Sequence, residues 1–183
     1  MHKVLSLDVS STTIGWSLIS ESEGLIKVIK HGHIKPPKSD LSLARRALKS
    51  QYLLKSLIKD LKPDSVAIEE YVTKFSKGRS TAKTIVVLSV FNEAMTMACI
   101  EELDKDPDRL SVLSIRSLIS KTFDEKITSK EECFEFIKKI PSFTVNLNKK
   151  NEIKKETYDE ADAVAVGISS IIRSNNGKRF TLQ

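Results

Sequence analysis

Three strand-like runs fill the first 34 residues with almost nothing between them, and this narrows the possible folds more than any other feature. Residues 3–9, 13–20 and 25–34 are rich in Val, Ile and Leu. Their connectors, Ser10-Ser11-Thr12 and Glu21-Ser22-Glu23-Gly24, have turn composition. Connectors this short join antiparallel neighbours. Pro36-Pro37 stops the third run, and Asp40 offers an N-cap for a helix to about Lys62. Leu43, Ala47, Leu54, Leu57, Ile58 and Leu61 make the apolar face of that helix, and Pro63 ends it. A fourth strand is expected over 65–71, followed by a polar loop and a helix over about 80–103. A fifth strand is expected over 110–115, then short helices near 115–122 and 129–140, a loop over 141–157 and a last helix over about 158–173. The order β-β-β-α-β-α-β-α predicts an α/β fold: a mixed five-stranded sheet, its first three strands antiparallel, flanked by helices.

The chain has 183 residues, which fits one domain over 1–173. Residues 174–183 form a polar, basic tail with the composition of a disordered terminus. Thirty basic against 24 acidic residues give a net charge of +6, which suits an anionic partner. The two cysteines, Cys99 and Cys133, match no zinc spacing and read as reduced thiols. The expectation is a cytoplasmic protein without a signal peptide, and no apolar run is expected to span a membrane.

Acid recurs at the ends of the apolar segments. Asp8 closes Val4-Leu5-Ser6-Leu7-Asp8-Val9, Glu69-Glu70 closes Ser65-Val66-Ala67-Ile68, and Asp159-Glu160-Ala161-Asp162 opens the last helix. A carboxylate at the edge of a core is costly unless something cationic meets it. Acids on three separated segments fit one divalent-metal site, because hard cations take carboxylate oxygens. Each acid alone has a plainer reading. Asp8 reads as an Asx-turn residue, Asp159 as a first-turn acid favoured by the helix dipole, and Glu70 as a solvated strand-end acid. Asp162 lies between two alanines and shares a helix face with Asp159. The pleat sends Glu69 and Glu70 to opposite faces, so only one of them reaches the metals. Taken jointly, the acids favour a metal site. His2, His31 and His33 show no ligand spacing with them. His31 and His33 share a strand face and read as surface histidines.

With these acids in this order, the chain resembles the ribonuclease H-like nuclease superfamily and, within it, the RuvC Holliday junction resolvases. The motifs are Leu7-Asp8-Val9-Ser10 with Thr13-Ile14-Gly15-Trp16, then Ala67-Ile68-Glu69, then Asp159-Glu160-Ala161-Asp162-Ala163-Val164-Ala165. The resemblance covers nearly the whole chain. It implies four catalytic, metal-binding acids: Asp8, Glu69, Asp159 and Asp162. Glu69 is preferred to Glu70 because the family's glutamate directly follows an Ala-Ile-like pair. The resemblance further implies two Mg²⁺ ions per site, replaceable by Mn²⁺, and no small-molecule cofactor. One ion would activate water against the scissile phosphorus and the other would stabilise the departing 3′ oxygen. The implied activity is resolution of four-way DNA junctions by paired symmetric nicks, leaving 5′-phosphate and 3′-hydroxyl ends. Departures exist. Val-Ser-Ser follows Asp8 where the family has Pro-Gly, and no glycine lies in Thr122–Thr128 before the DNA-binding lysine. Neither Tyr71 nor Phe75 sits at the family's junction-wedge offset. A divergent, phage-type member acting in its host's cytoplasm fits these departures.

Tyr71, Lys74, Phe75, Lys77, Arg79 and Lys83 surround the loop after the fourth strand. Basic groups there would meet phosphates and the aromatics would stack on bases. Lys121 and Lys130 look like the two family lysines, at altered spacing. The helix around Ile85–Ile100 is apolar on more than one face, which suits a homodimer matched to a two-fold substrate. Competing readings are an RNA-processing nuclease of the same fold, a branched-DNA nuclease of broader range, an actin/hexokinase-like ATPase, and an inert DNA-binding relative.

Overall fold

The computed structural model describes residues 1–38, 40–71, 82–175 and 178–183. Strands β1 (His2–Val9), β2 (Ile14–Ser22) and β3 (Leu25–Ile34) form an antiparallel meander. Helix α1 (Leu43–Leu61) returns the chain to β4 (Ser65–Glu69), which lies parallel to β1. Helix α2 (Ala82–Leu103) leads to β5 (Asp108–Leu110), parallel to β4. Helices α3 (Val112–Phe123), α4 (Lys130–Lys138) and α5 (Lys155–Ser174) follow, then β6 (Thr181–Leu182). The sheet order is β5-β4-β1-β2-β3-β6.

Strand alternation divides the core into two layers. Leu5, Leu7, Val66 and Ile68 face α1 and α2, where they meet Leu54, Ile58, Phe91 and Met95. Val4 and Ala67 face the other way and pack with Ile115 of α3, Phe134 and Ile137 of α4, and Val164 and Ile168 of α5. Asp8 and Glu69 have the parity of Val4 and Ala67, so the pleat aims both at the α5 layer.

Helix α5 lies directly on the sheet, and two glycines permit this. A Cβ at Gly15 of β2 would stand 2.1 Å from the Asp159 carbonyl oxygen. A Cβ at Gly167 of α5 would stand 2.6 Å from Ser6 Oγ and 2.7 Å from Ile19 Cδ1. Ser6 Oγ is itself held by Ser17 Oγ at 2.6 Å beneath the helix.

Several sequence expectations need correction. Ser42, not Asp40, caps α1, accepting from Arg45 N–H. The fifth strand ends at Leu110. Ser111 caps a helix that begins at Val112, and Ile115 and Ile119 turn inward one helical turn apart. The run Leu-Ser-Val-Leu-Ser-Ile carries both a strand and a helix period, and the serine cap decides between them. Helix α5 begins at Lys155, so Asp159 lies beyond its first turn and the dipole reading does not apply. Among the described residues the sheet has six strands rather than five. Thr181 N–H donates to the Gly24 carbonyl and Gln183 N–H to the Ile26 carbonyl, drawing the tail onto β3. Two residues give too short a pattern to read as a strand, although Phe180 and Leu182 pack on the core. Helix α2, contrary to expectation, is long and apolar enough to cross a membrane by length and composition. Here it packs on α1 and β1 through Phe91, Met95, Ala98 and Cys99.

Gly15→Ala sets a methyl against backbone, which no rotamer relieves. It is expected to destabilise the protein by about 1–3 kcal/mol in urea unfolding. An unchanged midpoint would contradict the close approach.

Candidate active site

Asp8 stands at the end of β1, and Glu69 ends the parallel neighbour β4, where Leu7 is in register with Ile68. Asp159 and Asp162 come down from α5, one turn apart. One carboxylate oxygen each from Asp8, Asp159 and Asp162 lie within 4.8 Å of one another. Asp8, Glu69 and Asp162 line a cavity of about 170 Å³. Its other walls are Arg116 and Lys130, which are basic, and Val112, Ile115, Cys133 and Ala165. The structure therefore brings together the four acids singled out from sequence. Glu70 is exposed, and its backbone N–H bonds Leu110. The turn after Asp8 is held by Ser10, whose Oγ accepts from Thr13 N–H and donates to Thr13 O. The Asx-turn reading of Asp8 is thereby replaced.

The electrostatics are those of crowded acids. Burial, then Glu69 and Asp162, push the Asp8 carboxyl well above its ordinary range, against the pull of Lys130. Burial and Asp162 push Glu69 up to about 7, opposed by Lys130 and Arg116. Asp159 and Asp162 are raised, first of all by burial. Lys130 is ion-paired with Asp162. Burial works against its ammonium, yet Asp162, Asp8 and Asp159 raise its pKa on balance. One ammonium and one guanidinium leave the four acids short of positive charge. A compact set of oxygen donors with that deficit fits a hard divalent cation.

Glu69 is also held from behind. Asn92 of α2 donates from Nδ2 to the Glu69 carbonyl at 3.0 Å and accepts from Arg109 Nη1 at 3.1 Å. Arg109 is anchored in turn by Glu93 and Thr96. Asn92 and Arg116 escaped the sequence reading. A polar residue within an apolar helix was the available signal for Asn92, and nothing local marks Arg116.

The basic residues divide. Lys130 joins the site itself. Lys121 and Lys83 are exposed and do not line the cavity, and Tyr71 is half-buried just beyond Glu70. Lys74, Phe75, Lys77 and Arg79 lie outside the described residues.

His31 and His33 are not surface histidines. Both bond Glu160, at 2.7 and 2.8 Å, and the Glu160 side chain is only 3% exposed. Hydrogen bonds and charge from the two rings outweigh burial and hold the Glu160 carboxyl below its usual range. The reason the sequence misled is a bulge. β3 pairs Lys30 with Leu18 but Val28 with Ile19, which leaves Ile29 as an extra residue. The extra residue reverses the alternation, so odd-numbered His31 and His33 face α5 as even-numbered Ile26 and Val28 do.

The raised Glu69 carboxyl sets a pH dependence. Below its ordinary 4.5 it is protonated in folded and unfolded chains alike. As pH rises from about 4.5 to 7 the unfolded chain ionises first, so the metal-free protein loses stability across that window. Glu69→Gln removes the penalty, of order 1–3 kcal/mol. In chelator at pH 8 it is expected to raise Tm by about 2–8 °C, with the gain vanishing near pH 4. A lowered Tm at pH 8 would contradict the charge crowding.

No family model matches the sequence. A stretch of 68 residues is 37% identical to the crossover junction endodeoxyribonuclease RuvC of Syntrophomonas wolfei, covering 37% of this chain and 39% of that protein. The chain thus spans well under half of the length of that curated relative. Among solved structures, RuvC of Thermus thermophilus in complex with a Holliday junction matches with TM-score 0.71 at 14% identity, over 97% of both chains. The yeast mitochondrial Holliday junction resolvase Ydc2 matches with TM-score 0.61 at 14% identity, over 92% of this chain and 77% of that one. One stretch of the chain is thus similar in sequence to RuvC, and over nearly its whole length its fold is similar to those of the RuvC and Ydc2 structures.

Proposed function

We propose that this chain is a divalent-metal-dependent endonuclease that resolves four-way DNA junctions by paired symmetric nicks, leaving 5′-phosphate and 3′-hydroxyl ends. The observation that carries the reading is the acidic cluster: ligand oxygens of Asp8, Asp159 and Asp162 within 4.8 Å, with Glu69 on the same cavity. Its setting in a RuvC-like fold supplies the substrate class.

Asp8, Glu69, Asp159 and Asp162 would hold two Mg²⁺ or Mn²⁺ ions, which supply Lewis acidity at the attacking and departing oxygens of an in-line displacement. Asp8, whose carboxyl is pushed up by burial and then by Glu69, Asp162 and Asp159, would be one of the ligands. Lys130 and Arg116 partly offset the acids and line the cavity where phosphate oxygens would enter. Val112, Ile115 and Ala165 form an apolar wall that keeps the local dielectric low and the electrostatics strong.

Lys83, Lys121, Tyr71, Lys74, Phe75, Lys77 and Arg79 serve as DNA contacts in this reading. Lysine and arginine there neutralise phosphates, and the aromatics stack at the crossover. Helix α2 is the surface of a homodimer. Its inner side is in the core, while Val86, Met97 and Ile100 remain exposed on a helix apolar enough to need a partner. Two sites related by a two-fold axis match a junction's symmetry. The work is placed in the cytoplasm, where both cysteines stay reduced.

A labelled four-way junction and a matching linear duplex, incubated with and without Mg²⁺, test this reading. Symmetric nicks near the crossover are expected, requiring metal and the parent Asp8. Asp8→Asn is expected to lower the cleavage rate at least a hundredfold, on the order of losing a metal ligand, while junction binding persists. Metal-dependent cutting of RNA instead would move the substrate. Tight junction binding with no cutting would point to an inert binder.

A further inference from the structure

Glu160 is a buried acid for which the cleavage chemistry has no use. It lies on α5 between Asp159 and Asp162, yet it does not line the cavity. Both its oxygens are taken up on the other side. Oε2 accepts from His31 Nδ1 at 2.7 Å and from Asn146 Nδ2 at 3.2 Å, and Oε1 meets His33 Nδ1 at 2.8 Å. Thr144 N–H donates to His31 Nε2 at 3.3 Å, which leaves the ring proton on Nδ1, directed at Glu160. The Asn146 carbonyl accepts from Thr157 Oγ1 and Lys154 N–H, tying the start of α5 into the same cluster.

A polar knot in a sheet–helix interface needs a reason, because burying a carboxylate costs more than packing an aliphatic side chain. The other polar ties of α5 lie away from the acids: Lys35 pairs with Glu156 at its start, and Ser169, Ser170 and Arg173 bond Ile115, Asp108 and Arg109 toward its end. Ala161, Val164, Ala165 and Ile168 present small and aliphatic groups that tolerate a slight roll on the sheet. A carboxylate oxygen about 6 Å from the helix axis moves about 1 Å for a 10° roll. A displacement of that size is enough to spoil a reacting geometry. Glu160 joins the helix to two points on β3, two residues apart along one strand face, by charge-assisted bonds. The bulge at Ile29 is what turns both histidines toward it.

We propose that Glu160, His31 and His33 are positioning residues that together fix the roll of α5 on the sheet, and so hold Asp159 and Asp162 at the spacing a divalent cation requires. This rests on the reading of the acidic cluster as a metal site.

Mn²⁺ affinity measured by calorimetry on the whole chain without DNA, alongside thermal melting in chelator, tests the proposal. Glu160→Gln and His33→Ala are expected to weaken Mn²⁺ binding about tenfold or more, the scale of losing support behind metal ligands. His33→Asn, whose amide N–H can stand where Nδ1–H does, is expected to restore affinity close to the parent's. His33→Ala separates positioning from simple charge, since it removes no negative charge and electrostatics alone would leave the affinity unchanged or raised. If Glu160→Gln fails to fold, the two His33 variants carry the test, because that ring is the more exposed arm, at 30% against 10% for His31. Folded variants that bind Mn²⁺ as the parent does, even with a lowered Tm, would overturn the proposal in favour of a purely structural role. A parent that binds no Mn²⁺ would overturn both this proposal and the metal site. A parent that binds Mn²⁺ but cuts no junction, with affinity still lost in Glu160→Gln, would sink the substrate assignment and uphold the positioning role.

Discussion

The burial of four carboxylates together at one end of the sheet is the constraint on which the rest of the structure turns. Asp8 and Glu69 arrive on neighbouring parallel strands, Asp159 and Asp162 on a helix laid across them. All four are pushed toward their protonated forms, with burial the leading cause in each case. Lys130 and Arg116 soften this without cancelling it. In the proposed reading, a divalent cation would offset the charge of these crowded acids.

The scaffold supports that cluster by close contact elsewhere. Gly15 lets the backbone at Asp159 rest on β2, and Gly167 lets the helix lie over Ser6 and Ser17. Asn92 and Arg109 hold the end of β4 from the opposite layer. Glu160 anchors the helix to β3. Glu69 and the two acids of α5 are thus supported through elements other than the ones that carry them, which helps a crowded cluster keep its geometry.

Much of this was legible in the sequence, for physical reasons. Short turns between the first three strands force the meander. Strand parity places Asp8 and Glu69 on one face, and helical spacing pairs Asp159 with Asp162. What escaped depends on events that leave no periodic trace. A single inserted residue, Ile29, reversed the facing of His31 and His33. A serine cap turned the end of an apparent strand into α3. The two-residue β6 was below the length at which alternation can be read. Arg116 and Asn92 matter through what lies opposite them in space, and no local pattern encodes that.

Anomalous scattering from a Mn²⁺-soaked crystal of the protein tests the central claim most directly. The account predicts Mn²⁺ peaks within bonding distance of carboxylate oxygens from Asp8 and from at least two of Glu69, Asp159 and Asp162, with the Lys130 ammonium displaced from Asp162. A soaked crystal with Mn²⁺ bound elsewhere, and with Lys130 still seated on Asp162, would contradict it.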